Sequence, residues 1–434
     1  MTHHHIMRRL RRNFSSRAAA VLAVSLATGL AAGCSSGGSS SGSSPGSTTG
    51  AASAASNLKG SPIPVGAVGS YSGPQASSEG GSKATIQAWA DWVNANGGIN
   101  GHPVKLYVLD DASDSTTALQ DVKELVQQDH VVAIVGEESN VDVSWASYIA
   151  STGVPVVGGL PLNLTFSTNP DFFASGTSGL AQVYGTLAEA KNHGGKVAVL
   201  YCAESPQCAS GVPLDYALSK AAGVKLVYVT KVSGTQTSYA APCLGAKGAG
   251  ATAVWIAEGS AVVKTIADAC LQQGVKLAQV ASDGSIAQNW LPDPAFNGAT
   301  VTELDLPYFV TSTPAGAQYR AALKKYAPSI YGTNLDGPND TYAWAGGLLF
   351  LAAAKAAHLG DNATPAEVKQ GLYTLHNETL GGFSPPLTFT QGKPDAVNCY
   401  FTFGITGGKE TLPNGTNLSC APMPAIDAIL AALK

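Results

Sequence analysis

The sequence predicts an α/β protein of two domains, each a doubly wound parallel sheet. Three observations predict it. From residue 63 onward, short apolar runs alternate with longer amphipathic stretches, the pattern of strands feeding crossover helices. The runs are near-continuously apolar, as strands covered on both faces must be. The alternation restarts after Asn169-Pro170, and the roughly 375 residues beyond the N-terminal tract are too many for one ordinary core.

Each element follows from local pattern. A strand is expected at 63–69, then a helix at 77–96 that presents Ile86, Trp89, Ala90 and Val93 to a core. Gly97-Gly98 stops that helix, since glycine takes left-handed backbone angles freely. Strand 104–110, helix 115–128, strand 131–136, helix 141–151 and strand 154–158 complete the first set. Helix 178–193 opens the second, followed by strand 197–201, helix 213–222, strand 224–229 and helix 239–247. Strand 253–256, helix 260–273 and strand 277–281 close it. Later helices are expected at 314–326, 340–356 and 425–433, with strands around 387–389 and 400–403. Trp89, Trp92 and Trp145 fall on helices and read as core.

The chain begins with a basic tract, Arg8, Arg9, Arg11, Arg12 and Arg17, followed by an apolar run at 18–30 and small residues before Cys34. That is the build of a secretory signal, and the run falls short of the about 20 residues needed to cross a bilayer. The ending Leu30-Ala31-Ala32-Gly33-Cys34 resembles the lipobox of bacterial lipoproteins. The resemblance implies a signal peptide at 1–33, a lipidated Cys34 as mature N-terminus, and attachment to the extracytoplasmic face of the cell membrane. An ordinary secretory signal with an incidental cysteine is the competing reading, and it also exports the chain. Met7 opens a complete signal by itself, so His3, His4 and His5 are not read as a metal site. Arg11-Arg12 is the pair found in twin-arginine signals, but such pairs are common in basic tracts and the general secretory route is expected. Residues 34–57 are almost entirely Ser, Gly, Thr, Ala and Pro, the composition of a flexible tether.

Removing the five signal arginines from the 25 Lys and Arg leaves 20 against 29 acidic residues, a net charge of −9. Arg320 is the one arginine left in the mature chain. Nucleic acid is thereby disfavoured as a partner, because phosphate binding needs clustered cations. Six cysteines follow Cys34: Cys202, Cys208, Cys243, Cys270, Cys399 and Cys420. Outside the cytoplasm an even number reads as three disulfides; fifteen pairings exist, and proximity favours 202–208, 243–270 and 399–420. The spacing is wrong for zinc, and His102, His130, His193, His358 and His376 are scattered, so no metal or other cofactor is expected.

Val65-Gly66-Ala67-Val68-Gly69-Ser70-Tyr71-Ser72-Gly73-Pro74, then Asn96-Gly97-Gly98-Ile99-Asn100-Gly101 and Asp110-Asp111, resemble the opening of the leucine/isoleucine/valine-binding protein family of type I periplasmic-binding proteins. Ala133-Ile134-Val135-Gly136, Gly153-Val154-Pro155-Val156 and Asn169-Pro170-Asp171-Phe172-Phe173 continue the likeness, which covers about 63–403. It implies two Rossmann-like lobes joined by three crossovers, the first lobe being 58–177 with 307–380 and the second 178–306 with 381–434. The lobes would close on an amino acid or similar small polar solute and pass it to the permease and ATPase subunits of an ABC importer.

Open α/β sheets bind ligands beyond the carboxyl ends of their strands, where helix N-termini offer free N–H groups. Ser139 resembles the family serine that holds a ligand carboxylate, with Asn140 beside it; a helix-cap role is the competing reading. Gly159-Leu160 replaces a small polar loop of the family and suggests an apolar wall. Ser78 and Tyr71 lie in the first loop, where surface turn residues are also common. In the second lobe, Asp283 resembles the family position whose carboxylate meets a ligand ammonium, and Glu258 is a second acidic candidate. Two departures keep ligand identity from carrying over: Cys208 stands where many amino-acid binders have an aromatic residue, and Tyr342-Ala343-Trp344 replaces Tyr-Asp-Ala. Two other readings compete. One is a subunit that reports ligand occupancy to a membrane signalling receptor. The other is an extracytoplasmic hydrolase, against which stands the lack of a G-x-S-x-G elbow, H-E-x-x-H or phosphate-loop motif from residue 58 onward.

Overall fold

A computed structural model describes residues 58–161, 164–204, 206–394 and 396–432, without the side chains of Pro206, Gln207 and Asp283. The signal peptide, Cys34 and the tether lie outside the described residues. The first sheet grows from β1 (Ile63–Gly69), whose residues are buried except for a partly exposed Pro64. Two helices follow, α1 (Ala76–Glu79) and α2 (Ser82–Ala95), then β2 (Val104–Asp110) and α3 (Ser115–Gln127). Next come β3 (Ile134–Glu137), α4 (Ala146–Thr152), β4 (Val156–Gly159), α5 (Thr165–Thr168) and β5 (Phe172–Phe173). The five strands are parallel in the order β2-β1-β3-β4-β5. Asp114 caps α3, its carboxylate accepting from the N–H groups of Thr116 and Thr117 at 3.0 and 2.8 Å.

The helix expected over 77–96 is in fact two. The break falls at Gly80-Gly81, where Gly81 packs against the Leu335 carbonyl and the Asp340 carboxylate and leaves no room for a Cβ. The apolar positions of α2 are as the periodicity demands: Ile86, Trp89, Ala90 and Val93 are all buried.

The second set runs through α6 (Gly179–Glu189), β6 (Lys196–Cys202), α7 (Pro206–Ala222), β7 (Lys225–Val232), α8 (Ala240–Gly248), β8 (Ala253–Ala257), α9 (Ser260–Gln272), β9 (Ala278–Ser282) and β10 (Ala299–Glu303). The chain continues with α10 (Pro314–Tyr326), α11 (Asn339–Ala356), α12 (Pro365–Tyr373) and β11 (His376–Glu378). It ends with β12 (Leu387–Thr388), β13 (Cys399–Thr406), β14 (Lys409–Thr411), β15 (Ser419–Cys420) and α13 (Met423–Ala432). The second sheet has the order β14-β13-β10-β9-β8-β6-β7, with β15 also on β13. It is parallel from β7 to β10, while β13 runs antiparallel to β10, β14 and β15.

Helices α10 and α11 return to the first sheet, α11 lying on β3, β4 and α2. The approach is made by glycine. A Cβ on Gly346 would sit 2.8 Å from the Cα of Gly136 in β3, and one on Gly347 would sit 2.5 Å from the Trp89 ring. The chain therefore passes between the two sheets three times, and the crossings lie side by side. Thr177 donates from N and Oγ1 to the Leu304 carbonyl at 3.1 and 3.0 Å. The Leu306 N–H donates to Phe383 O at 2.8 Å, and the Ser384 hydroxyl donates to Ser175 O. This is the type I two-lobe architecture with three crossovers.

The disulfides join Cys202 to Cys208, Cys243 to Cys270 and Cys399 to Cys420, the pairing that proximity favours. Arg320 forms a two-pronged ion pair with the fully buried Asp336. Among the described residues no helix is long and apolar enough to cross a membrane.

Candidate ligand site at the meeting of the lobes

The lobes meet where α1 abuts the start of α9. Helix α9 begins after Gly259, which has no side chain with which to cap it. The missing cap comes from the first lobe: the Ser78 hydroxyl accepts from the Ser260 N–H at 3.0 Å, and the Ser260 hydroxyl donates to Ser77 O at 2.9 Å. Glycine at 259 permits this, since a Cβ there would lie 3.2 Å from the Ser77 hydroxyl. A second seam joins the 283–290 turns to the segment before α11. There the Asn289 N–H donates to Asn334 Oδ1 at 3.1 Å, and Gln288 Nε2 donates to the Tyr308 hydroxyl at 2.8 Å.

The first lobe's edge at this junction is strongly acidic. The strand ends and α1 bring together Glu79, Asp111, Glu137, Glu138 and Asp142, all buried. Glu137 Oε1 accepts from the Ser139 N–H at 2.7 Å, Glu79 Oε1 accepts from Asn140 Nδ2 at 2.5 Å, and the Asn140 N–H donates to the Ser70 hydroxyl. Ser70 in turn donates to Asp111 at 2.7 Å. The Ser139 hydroxyl turns inward, accepting from the Val141 N–H and Trp145 Nε1 at 3.4 and 3.5 Å. The N–H of Ser139 and the amide of Asn140 are thus already bonded to the protein's own carboxylates.

Burial pushes Glu79 well above the usual carboxylate range; the Asn140 hydrogen bond opposes this and Asp111 adds to it. Burial likewise raises Glu137, with the charge of Asp142 next. Among the described residues the ion pairs involve His102, Lys264, Arg320 and Lys369, and none reaches Glu79, Asp111 or Glu137. Tyr71 lies over Gly69 beside Glu138, 6% exposed, and its hydroxyl has no hydrogen-bond partner among the described residues. Burial first, then Glu138 and Glu137, drive the Tyr71 hydroxyl well above its ordinary value.

Gly159 has φ +133°, an angle open to glycine, and its Cα faces the Glu137 backbone too closely for any Cβ. Leu160 is buried with Leu304 and Tyr342 in a small apolar cluster. In the second lobe Glu258 follows β8 and is 9% exposed. Burial, and then the charge of neighbouring Glu204, push Glu258 up to about 8, so it holds a proton at neutral pH. Burial alone would raise Glu204 too, but hydrogen bonds from the Ser233 hydroxyl and Gly234 N–H outweigh it and hold Glu204 low. The Asp283 backbone opens a short turn at the end of β9, while its side chain lies outside the described residues.

Sequence reasoning passed over Glu79, Asp111, Glu137, Glu138 and Asp142 as a group. The pairs Asp110-Asp111 and Glu137-Glu138 at strand ends were its visible trace. It also passed over Ser77, Ser260 and Glu204.

A family model for periplasmic binding proteins matches residues 62–409. An amino acid binding protein of Pseudomonas aeruginosa is 33% identical over 124 residues, which are 28% of this chain and 32% of that relative. A branched chain amino acid ABC transporter protein from Thermus thermophilus, solved with bound valine, superposes with a TM-score of 0.72 at 16% identity, covering 81% of this chain and 95% of its own. A fatty acid ABC transporter substrate-binding protein from Thermomonospora curvata gives 0.67 at 15% identity, covering 84% and 96%. The two solved structures show a shared fold.

Proposed function

We propose, because this chain belongs to the periplasmic binding protein family, that it is an extracytoplasmic receptor whose lobes close on a small polar solute and deliver it to an ABC permease and ATPase. The leucine/isoleucine/valine-binding resemblance read from the opening residues agrees with that membership. Cys34 anchors the receptor to the membrane by lipid, and residues 34–57 give it reach. The boundaries proposed for the lobes are those given by the resemblance.

The observation that carries the reading is the cap that Ser78 places on α9, because it holds the strand ends of both lobes around one spot. Closure then creates contacts that exist in one state only, which is how a ligand touching both lobes shifts a hinge equilibrium. The proposed contacts are Tyr71, Ser78, Ser139, Asn140, Gly159 and Leu160 from the first lobe, with Glu258 and Asp283 from the second.

The charge of the site narrows the ligand. Buried acids on one edge and the Glu204–Glu258 pair on the other favour a solute that presents an amine, whose positive charge lets them ionise, and disfavour a ligand carboxylate near Ser139. The ligand class is an amino acid or related amine whose ammonium faces these acids. A thermal-shift screen of the mature protein against amines, amino acids, polyols and carboxylic acids tests this. Amines should raise the melting temperature, and Asp283→Ala should weaken the strongest binder by more than about 2 kcal/mol through loss of a charge-assisted hydrogen bond. Stabilisation by carboxylic acids alone would overturn the reading. Mass analysis of the mature N-terminus tests the anchor: an unmodified Cys34 removes it.

A further inference from the structure

A cavity of about 740 Å³ lies between the lobes, lined by α4, Pro161 and the 164–170 segment on one side and by α6 and α7 on the other. Ser78, Asn140 and Glu258 are not among its walls. Val143, Leu164, Leu180, Val183, Leu214 and Leu218 make it largely apolar. One carboxyl interrupts that lining. Asp215 is 8% exposed, and among the described residues it has no hydrogen-bond or ion-pair partner.

We propose that this cavity is a second binding site, taking a solute with an apolar body and a single amine that meets the Asp215 carboxylate. The volume is that of small-molecule sites, which run from about 300 to 1,000 Å³ and are mostly apolar with few polar groups. A carboxylate buried in apolar surroundings is costly unless an opposite charge reaches it, and none does so here among the described residues. Burial alone lifts Asp215 to about 7, so an arriving ammonium finds a group that gains from ionising. Because the walls come from both lobes, an occupant fastens α4 and α5 to α6 and α7. It therefore biases lobe position from a place separate from the acidic junction, and the inference does not depend on the ligand read there.

Calorimetric titration of the mature protein at pH 8 with n-octylamine, n-octanol and n-octanoate tests the site. Octylamine should bind saturably and at least about tenfold more tightly than octanoate. Asp215→Asn should cost octylamine about tenfold or more while leaving octanol within about twofold, and the filling variant Ala150→Trp should abolish both. Glu258→Gln, which acts at the acidic junction, should leave the octanol value and the loss caused by Asp215→Asn unchanged. Absence of saturable octylamine binding overturns the proposal, as does equal binding of octanoate or indifference to Asp215→Asn. A loss of octanol binding caused by Glu258→Gln overturns it too, by moving the occupant to the acidic junction. Circular dichroism of each variant confirms its fold, and the two cavity variants fail independently.

Discussion

Replacing Glu258 by glutamine isolates one proton. The side chain keeps its size and its place behind Gly259, but it no longer ionises. In the native protein Glu258 is lifted from 4.5 to about 8, by burial first and by the charge of Glu204 second. Between those two pH values the native state holds a proton that the unfolded chain has released. The native state then binds more protons, so unfolding free energy falls as pH rises through the window and levels off above it. At about 1.4 kcal/mol per pH unit the ceiling is about 5 kcal/mol, and solvent screening at the junction of the lobes brings the expected effect nearer to about 2 kcal/mol. Glu204, held low, titrates beneath the window and does not mask the effect. Urea unfolding of the ligand-free protein at half-unit steps from pH 4.5 to 8.5 reads it directly. Wild type should lose stability up to about pH 8, with Asp215, raised to about 7, adding a slope of its own, and Glu258→Gln should make the profile shallower and be the more stable protein at pH 8. Parallel profiles, or a variant weaker at every pH, would refute the assignment of the proton to Glu258.

Two further outcomes follow from the geometry. Ser78→Ala removes the cap of α9, typically worth about 1 kcal/mol, and should favour the open form about fivefold; small-angle scattering or a distance probe across the lobes should show it, while an unchanged distribution denies the cap a role in closure. Gly159→Ala forces a Cβ onto the Glu137 backbone at a φ suited to glycine, and should destabilise the fold by roughly 2–4 kcal/mol in urea titration; a loss below about 0.5 kcal/mol would mean that the strand relaxes freely.

Most strands and long helices were legible because burial on both faces writes an unbroken apolar run. Ile63–Gly69 and Pro314–Tyr326 carry the bounds that pattern and caps predict. What stayed hidden depends on partners distant in sequence. The close packing of Gly81 against Leu335 and Asp340 brings together residues about 250 positions apart, which no local pattern shows. Strand β10, with its two threonines among few apolar residues, gains strand character from pairing with β9 and β13. Helix α12 was a different kind of omission, since Thr364 and Glu367 form a capping box that the sequence displays openly. Helix α7 starts at Pro206, seven residues ahead of Pro213, because proline reads as a helix start more readily than as an interior residue. At the candidate site, the second-lobe acids Glu258 and Asp283 were read singly from strand ends. The first-lobe group was not, because its five carboxylates come from four separate segments that the fold gathers.

Where α11 crosses the first sheet, main chain rests on main chain at Gly346 and Gly136, with Gly347 pressed to the Trp89 ring. No side-chain rotation can absorb a displacement there. The late helix and the early strands must travel as one stiff lever, although more than 200 residues separate them in the chain. A methyl group at 346 would act as a wedge, prying that lever apart before it bent. In the proposed receptor, opening and shutting then falls to the three neighbouring straps at Thr177, Asp305 and Ser384, which lie outside that lever.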